Sequence, residues 1–137
     1  MNHYLNLFSL EERLKQPTNQ HILIVDDEED LRKLLSQVVS GAGYTVAQAA
    51  DGEEAMTALR KHKYDLALLD IQMPNATGID VLKFIQKNSL ATRAIMLTGY
   101  ADLKHAMEAR EFGALDFISK PYKVQDVLGT ISRVLSE

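Results

Sequence analysis

The sequence predicts an α/β fold: a doubly wound, five-stranded parallel sheet of the (βα)5 type. Five short apolar runs begin near His21, Tyr44, Asp65, Arg93 and Leu115, and the segments between and after them have helical periodicity. Two of the runs are continuously apolar, as expected for parallel strands that are covered on both faces. Right-handed crossovers between such strands produce an open sheet with helices on both sides.

The strands are predicted at the apolar runs themselves. The five segments are Ile22–Val25, Tyr44–Gln48, Leu66–Leu69, Ala94–Leu97 and Leu115–Ile118. The second run leads only into a short Ala-Ala-Asp-Gly segment, whereas each of the others ends in or near a reactive polar residue. We therefore expect the second strand to be an edge strand that lies outside any site.

The helices are predicted from apolar stripes, which should pack all five helices against the sheet. The stripe of the first helix is Leu31, Leu34, Leu35, Val38, Val39 and Ala42, and that of the last is Val124, Val127, Leu128, Ile131, Val134 and Leu135. Weaker stripes mark the middle three helices at Ala55–Leu59, Ile79–Ile85 and Leu103–Met107. Gly41 and Gly43 provide a C-terminal cap signal for the first helix.

Composition predicts one domain of ordinary globular character. The chain has 137 residues, of which 46% are hydrophobic and 25% charged, which is near the average for globular proteins. A net charge of -4 gives no general attraction to nucleic acid or anionic lipid, so direct DNA binding is not expected. The absence of cysteine fits a reducing cytosol, and no apolar run approaches the length of a membrane span. We therefore expect a cytoplasmic protein.

Residues 1–20 are predicted to be an extension that precedes a domain at 21–137. Ser9 and Glu12 have the spacing of a capping box, and Pro17 would end a short helix that carries Leu10 and Leu14. Such a helix is marginal by itself. The extension is therefore either a docking or linker segment or a frayed, disordered tail.

Reactive side chains follow four of the five predicted strands. Asp26 and Asp27 follow the first strand, Asp70 the third and Thr98 the fourth, while Lys120 comes shortly after the fifth. Because the ligand crevice of an open α/β sheet lies at the carboxyl ends of its strands, these side chains should meet in one crevice.

Each of these residues also has a purely structural interpretation. The acidic run 26–30 could cap the first helix, Asp70 could be a turn residue, Thr98 a local cap and Lys120 a solvated lysine. Together, however, these interpretations require four independent coincidences at one edge of one sheet. A shared site explains all four residues at once.

The electrostatics of such a site predict its chemistry. Asp26, Asp27 and Asp70 would repel one another unless a cation joined them, and an oxygen-only ligand set suits Mg²⁺. Asp70 could then act as a nucleophile and form an acyl phosphate. Thr98 and Lys120 could each bind an oxygen of the transferred phosphoryl group.

These residues together resemble the receiver domain of two-component response regulators. The resemblance rests on Asp26–Asp27, the stretch Asp70–Gly78, Thr98 and Lys120–Pro121, and it covers residues 21–137. It implies the flavodoxin-like strand order 2-1-3-4-5. It also implies that Asp70 is the phosphoacceptor, with Thr98 and Lys120 as the other catalytic residues.

The resemblance implies roles for further residues. Mg²⁺ would be bound by Asp26, Asp27 and Asp70, with the backbone carbonyl of Gln72 as an additional ligand. Gln72 and Tyr100 would also tune dephosphorylation.

The same resemblance implies a conformational switch. Phe117 matches the aromatic residue that turns inward when Thr98 moves toward the phosphoryl group, although it could also be an ordinary core residue. Lys120–Pro121 would be a cis peptide bond. The small residue Gly99 would leave the phosphoryl group open to water or to a bulky donor.

The expected partner is a sensor histidine kinase or a histidine phosphotransfer protein, docking around the first helix and the loop after the fifth strand. None of the four histidines has metal-binding spacing or the character of a phosphorelay histidine. The fourth helix, fifth strand and fifth helix could form a homodimer. Contact with nucleic acid or membrane is not expected, and the output module or target stays open.

Catalysis is expected to be limited to the chain's own phosphorylation and dephosphorylation. The main alternative is a stand-alone aspartyl-phosphate phosphohydrolase, such as a phosphatase of the haloacid dehalogenase type. The Asp-x-Asp nucleophile motif of that family is absent after the first strand. A flavin carrier is disfavoured because the acidic run 26–30 would repel the flavin phosphate.

Overall fold

The computed structural model of the protein describes residues 19–99 and 103–137. The predicted helix of the N-terminal extension and the predicted tuning residue Tyr100 lie outside these described residues. Within them, five strands alternate with five helices.

The strands contain four to six residues each and the helices nine to thirteen. The strands are β1 (His21–Val25), β2 (Thr45–Ala49), β3 (Leu66–Asp70), β4 (Arg93–Thr98) and β5 (Asp116–Ser119). The helices are α1 (Glu29–Gly41), α2 (Gly52–Lys61), α3 (Gly78–Lys87), α4 (Leu103–Glu111) and α5 (Val124–Ser136).

All strand pairs are parallel, and the strand order is β2-β1-β3-β4-β5. This confirms the predicted fold class and the order implied by the resemblance. Strand β2 lies at one edge of the sheet, as predicted, although it begins one residue later than the predicted run. The order reverses direction between β1 and β3, which places the topological switch point at the ends of those two strands.

Two apolar cores lie on opposite faces of the sheet because successive strand residues point to opposite sides. Leu23 and Val25 of β1 join one core, whereas Ile22 and Ile24 join the other. Helices α2, α3 and α4 contribute to the first core, and α1 and α5 to the second. Burial on both faces explains the continuous apolar runs.

Three apolar residues of the predicted stripes and strands face solvent instead of the core. Leu34 is 51% exposed, Met107 66% and Leu115 49%. The six-residue stripe predicted for α1 is wider than the face that contacts the sheet, so Leu34 falls outside it. On α4, the only fully buried side chain in the described part is Ala109. Leu115 joins the sheet through its backbone N–H, which donates to the Ala94 carbonyl, while its side chain points outward.

The loop before α2 is packed closely against the loop that leads from β3 to α3. Asp51 caps α2 by accepting a hydrogen bond from the Glu54 N–H, and it accepts a second one from the Asn75 side chain. The Gly52 N–H donates to the Ala76 carbonyl at 3.2 Å. A Cβ at residue 52 would lie only 2.3 Å from that oxygen. Glycine is therefore required for this approach of two backbones.

Within the described ranges, no helix is both long enough and apolar enough to cross a bilayer.

Replacing Gly52 by alanine should lower the free energy of unfolding by about 1–3 kcal/mol, because the added methyl group forces the two loops apart. Gly129 of α5 is the matched control, since a Cβ there meets nothing within 4 Å. Gly129→Ala should raise stability by about 0.5–1 kcal/mol through the helix propensity of alanine. Urea unfolding of both variants measures these changes, and equal effects of the two substitutions would contradict the packing argument.

Candidate functional site

The carboxylates of Asp26, Asp27 and Asp70 converge at the switch point of the sheet. One oxygen from each residue lies within 4.8 Å of the others. Asp26 follows β1 directly and is fully buried, Asp70 ends β3 and is 6% exposed, and Asp27 is exposed. The three predicted acidic residues are thus brought together, with one of them open to solvent.

Lys120 brings a positive charge into this cluster. Its Nζ lies 3.0 Å from Asp26 Oδ2, 3.2 Å from Asp70 Oδ2 and 3.4 Å from Glu28 Oε1. The backbone N–H of Lys120 donates to the Thr98 carbonyl at 2.7 Å, and the Lys120–Pro121 peptide bond is cis. The loop after β5 is therefore anchored to the end of β4 while its lysine reaches the ends of β1 and β3.

Backbone groups fix the orientation of the buried carboxylates. Asp26 Oδ1 accepts the N–H of Glu28 at 2.9 Å, and Asp70 Oδ1 accepts the N–H of Gln72 at 3.2 Å. These are turn-type bonds from a side chain to the backbone two residues ahead. The turn interpretation of Asp70 and its place in a charged site are therefore compatible. Helix α3 begins at Gly78, directly against the backbone of Asp70. A Cβ at residue 78 would lie only 2.3 Å from the Asp70 carbonyl oxygen.

The cluster perturbs the acid–base properties of its members. Burial raises the pKa of Asp70 to about 7; Lys120 opposes this shift, while the nearby Asp26 adds to it. Burial alone would lower the pKa of Lys120, but its hydrogen bond to Asp26 and the charge of Asp70 outweigh burial and raise it. The cluster therefore pairs a firmly protonated lysine with a carboxyl group whose pKa lies near neutrality.

Thr98 and Phe117 line one groove that opens beside Lys120. Thr98 ends β4 and is 7% exposed, and Phe117 lies on the neighbouring strand β5, where it is partly buried. The guanidinium of Arg110 lies 6.0 Å from the centre of the Phe117 ring. The groove has a volume of about 1030 Å³ and extends to Met107 on α4. The site thus continues into the space between α4 and β5.

Two contacts of the site were not predicted from the sequence. Glu28 touches Lys120, and Arg32 donates from Nη1 to the Asp26 carbonyl at 2.8 Å. Glu28 could have been suspected because it belongs to the acidic run, although its side chain makes no capping hydrogen bond to α1. No local pattern marks Arg32. The structure places the backbone N–H of Gln72 on Asp70, and the ligand role of its carbonyl stays a prediction.

The donor set fits a hard divalent cation. All three acidic residues offer carboxylate oxygens, and the described part of the chain contains no other group of three potential ligands. Hard cations such as Mg²⁺ prefer oxygen donors of this kind. The cluster could therefore hold a metal ion next to a buried carboxylate and a fixed ammonium group.

The doubly wound sheet and its acidic switch point define the class of two-component receiver domains. The family model described as "Response regulator receiver domain" matches residues 22–132. The chain belongs to this family.

Two curated relatives illustrate the range of the family. The chain is 36% identical over 117 residues to Sporulation initiation phosphotransferase F of Bacillus subtilis (strain 168), covering 85% of this chain and 94% of that protein. It is 37% identical over 112 residues to the DNA-binding response regulator MtrA of Mycobacterium tuberculosis (strain ATCC 25618 / H37Rv), covering 82% of this chain. That match spans only 49% of MtrA, so the chain corresponds to about half of that regulator.

Solved structures show the same fold. A CheY-like receiver domain from Methanospirillum hungatei JF-1 superposes with a TM-score of 0.83 at 32% identity, over 87% of this chain and 95% of that one. The chemotaxis protein CheY4 of Vibrio cholerae gives a TM-score of 0.80, also at 32% identity, over 85% and 99% of the two chains. The fold assignment thus agrees with experimental structures of receivers.

The raised pKa of Asp70 predicts a pH-dependent stability in the absence of metal. Because the folded-state pKa of about 7 exceeds the ordinary value of 3.8, this group stabilises the fold at low pH, and the contribution is lost as the pH rises through about 7. Between about pH 5.5 and about pH 8, the wild type should lose about 1–2 kcal/mol more stability than Asp70→Asn. Urea unfolding in EDTA measures the free energies of unfolding. If these changed with pH in the same way in the two proteins, the raised pKa of Asp70 would be refuted.

Proposed function

We propose that the chain accepts a phosphoryl group on Asp70 from a histidine kinase or a phosphotransfer protein, in a Mg²⁺-dependent reaction, and then switches conformation to control a downstream output. The observation that carries this proposal is the contact of one ammonium group, Lys120 Nζ, with the buried carboxylates of both Asp26 and Asp70. This arrangement keeps the buried carboxylate of the proposed nucleophile beside a positive charge.

In the proposed reaction, a carboxylate oxygen of Asp70 attacks the phosphorus atom of a phosphohistidine. A P–O bond forms as the P–N bond breaks, and the leaving imidazole nitrogen takes the electron pair and is then free to take up a proton. The product is an aspartyl phosphate. Asp70 must be ionised to attack, and the positive charge of Lys120 favours that form.

Asp26, Asp27 and Asp70 would hold Mg²⁺, together with the Gln72 carbonyl. When bound, the ion supplies positive charge that balances the carboxylates and the phosphoryl oxygens. Asp26 is held by Lys120 and by the Glu28 N–H, so its carboxylate is oriented before any ligand arrives. The exposed Asp27 leaves this side of the cluster open to solvent and to an entering ion.

Lys120 and Thr98 would respond to the new phosphoryl group. Lys120 would exchange its contact with Asp70 for a phosphoryl oxygen, which is the more strongly charged acceptor. The Thr98 hydroxyl would donate to a second oxygen. Since Thr98 and Phe117 line the same groove, movement of the threonine would free space for the aromatic ring to turn inward. Phosphorylation would thus shift an equilibrium between two states of the α4–β5–α5 surface.

The proposed partners follow from the same reaction. A kinase or phosphotransfer protein would approach the open side of the crevice, around α1 and the loop after β5. The α4–β5–α5 surface would bind the output partner or a second copy of the chain. We propose that the chain contacts neither nucleic acid nor membrane directly, acts in the cytoplasm, and catalyses only its own phosphorylation and dephosphorylation.

Acetyl phosphate with Mg²⁺ should phosphorylate the wild type once, at Asp70, and Asp70→Asn should abolish the labelling. Asp126→Asn is the matched control, because Asp126 is an exposed carboxylate in the first turn of α5 and should leave labelling unchanged. Intact-mass spectrometry with and without EDTA provides the measurement. A phosphorylated Asp70→Asn protein would rule out the assigned acceptor.

Beryllofluoride, a phosphoryl mimic, should shift backbone amide resonances across residues 103–137 in the wild type. In Thr98→Ala the mimic should still bind at Asp70, but the shifts near Phe117 should be strongly reduced, because the hydroxyl that couples the site to the groove is missing. Two-dimensional NMR measures both effects, with ¹⁹F signals reporting binding. Undiminished shifts at Phe117 in the variant would contradict the role of Thr98.

A further inference from the structure

Arg32, in the first turns of α1, makes two side-chain hydrogen bonds that connect the acidic site to the edge strand β2. Its Nη1 donates to the Asp26 carbonyl at 2.8 Å, and its Nε donates to Gln48 Oε1 at 3.1 Å. The planar guanidinium is suited to two simultaneous contacts of this kind. Arg32 therefore bridges the β1–α1 turn and the neighbouring strand.

The carbonyl that Arg32 holds belongs to the peptide unit between Asp26 and Asp27. Asp26 is already fixed elsewhere, since its N–H donates to the Ala49 carbonyl and its carboxylate binds the Glu28 N–H and Lys120. Asp27 is exposed, so burial does not fix its position. Because the peptide unit is planar, holding the Asp26 carbonyl also fixes the position of the Asp27 N–H and so limits the directions in which the Asp27 side chain can leave the backbone.

We propose that Arg32 is a positioning residue for the cation site: by holding the Asp26 carbonyl, it aims the carboxylate of Asp27 at those of Asp26 and Asp70. The inference rests on the proposed function, because it assigns Arg32 a role in the Mg²⁺ site described there. Groups that orient metal ligands commonly change metal affinity by about tenfold or more when they are removed.

The positive charge of Arg32 should have the opposite effect on Mg²⁺ affinity, so the two possible roles of Arg32 predict changes of opposite sign. A positive charge bound to the Asp26 carbonyl reduces the attraction of the acidic cluster for Mg²⁺. If Arg32 acted only through its charge, its removal would tighten Mg²⁺ binding. If it positions Asp27, its removal weakens binding despite the lost positive charge. The direction of the change distinguishes the two effects.

Mg²⁺ titrations followed by amide NMR, together with thermal unfolding in EDTA, test the proposal on the full chain. Arg32→Ala should weaken Mg²⁺ binding by about tenfold. Arg93→Ala is the matched control, because Arg93 also donates to backbone carbonyls, those of Val134 and Glu137, but far from the acidic site. It should lower the melting temperature and leave Mg²⁺ affinity unchanged.

Gln48→Ala provides a second variant that keeps Arg32 and removes one of its two anchors. Because Gln48 is exposed, the substitution should not impair folding, and it should weaken Mg²⁺ binding less than Arg32→Ala does. If Arg32→Ala does not fold, the Mg²⁺ affinity of Gln48→Ala by itself tests the positioning role of Arg32. Unchanged or tighter binding in the folded variants overturns the role of Arg32 while leaving the proposed function intact. Failure of the wild type to bind Mg²⁺ overturns the cation site itself, and this inference with it.

Discussion

Two carboxylates buried at one edge of a sheet require a positive charge beside them, and the arrangement of this molecule follows from that requirement. Asp26 and Asp70 lie at the ends of adjacent strands, where Lys120 meets both. A parallel sheet is the framework that brings three strand ends to one edge, and close approaches at Gly78 and Gly52 allow the surrounding loops to pack around them. The cost of burying like charges is thereby balanced locally, while the third carboxylate, that of Asp27, stays open to solvent.

The acidic site and the adjacent groove differ in how firmly they are held. In the acidic site, the N–H, the carbonyl and both carboxylate oxygens of Asp26 all take part in hydrogen bonds. Helix α4, in contrast, fully buries only Ala109 among its described side chains. At the surface, Lys83 of α3 contacts Glu108 of this helix and the ring of Phe112, which directly follows it. Elements with few buried apolar contacts are the ones that move most readily, so α4 is the element beside the site that is best suited to a conformational change.

Much of the fold could be predicted because burial on both faces leaves a direct mark on the sequence. The continuous runs at Ile22–Val25 and Leu66–Leu69 identify buried parallel strands, and the acids that follow them identify the site. The orientations of Leu34 and Met107 could not be predicted, since helical periodicity does not show how wide a face the sheet will cover. The contacts of Glu28 and Arg32 depend on the tertiary positions of Lys120 and Gln48, about which local sequence carries no information. The strand order followed from the resemblance to receivers and not from periodicity.

The pairing of Lys120 with Asp26 joins residues that are 94 positions apart in the chain. The acids of the site all lie within the first 70 of 137 residues, whereas the lysine becomes available only after β5 has been added to the sheet. A chain that ends before β5 therefore lacks the counter-ion that Asp26 and Asp70 share in the complete fold. Assembly of the charged site is in this way tied to completion of the sheet, because its one ammonium group is the last of its members to be added.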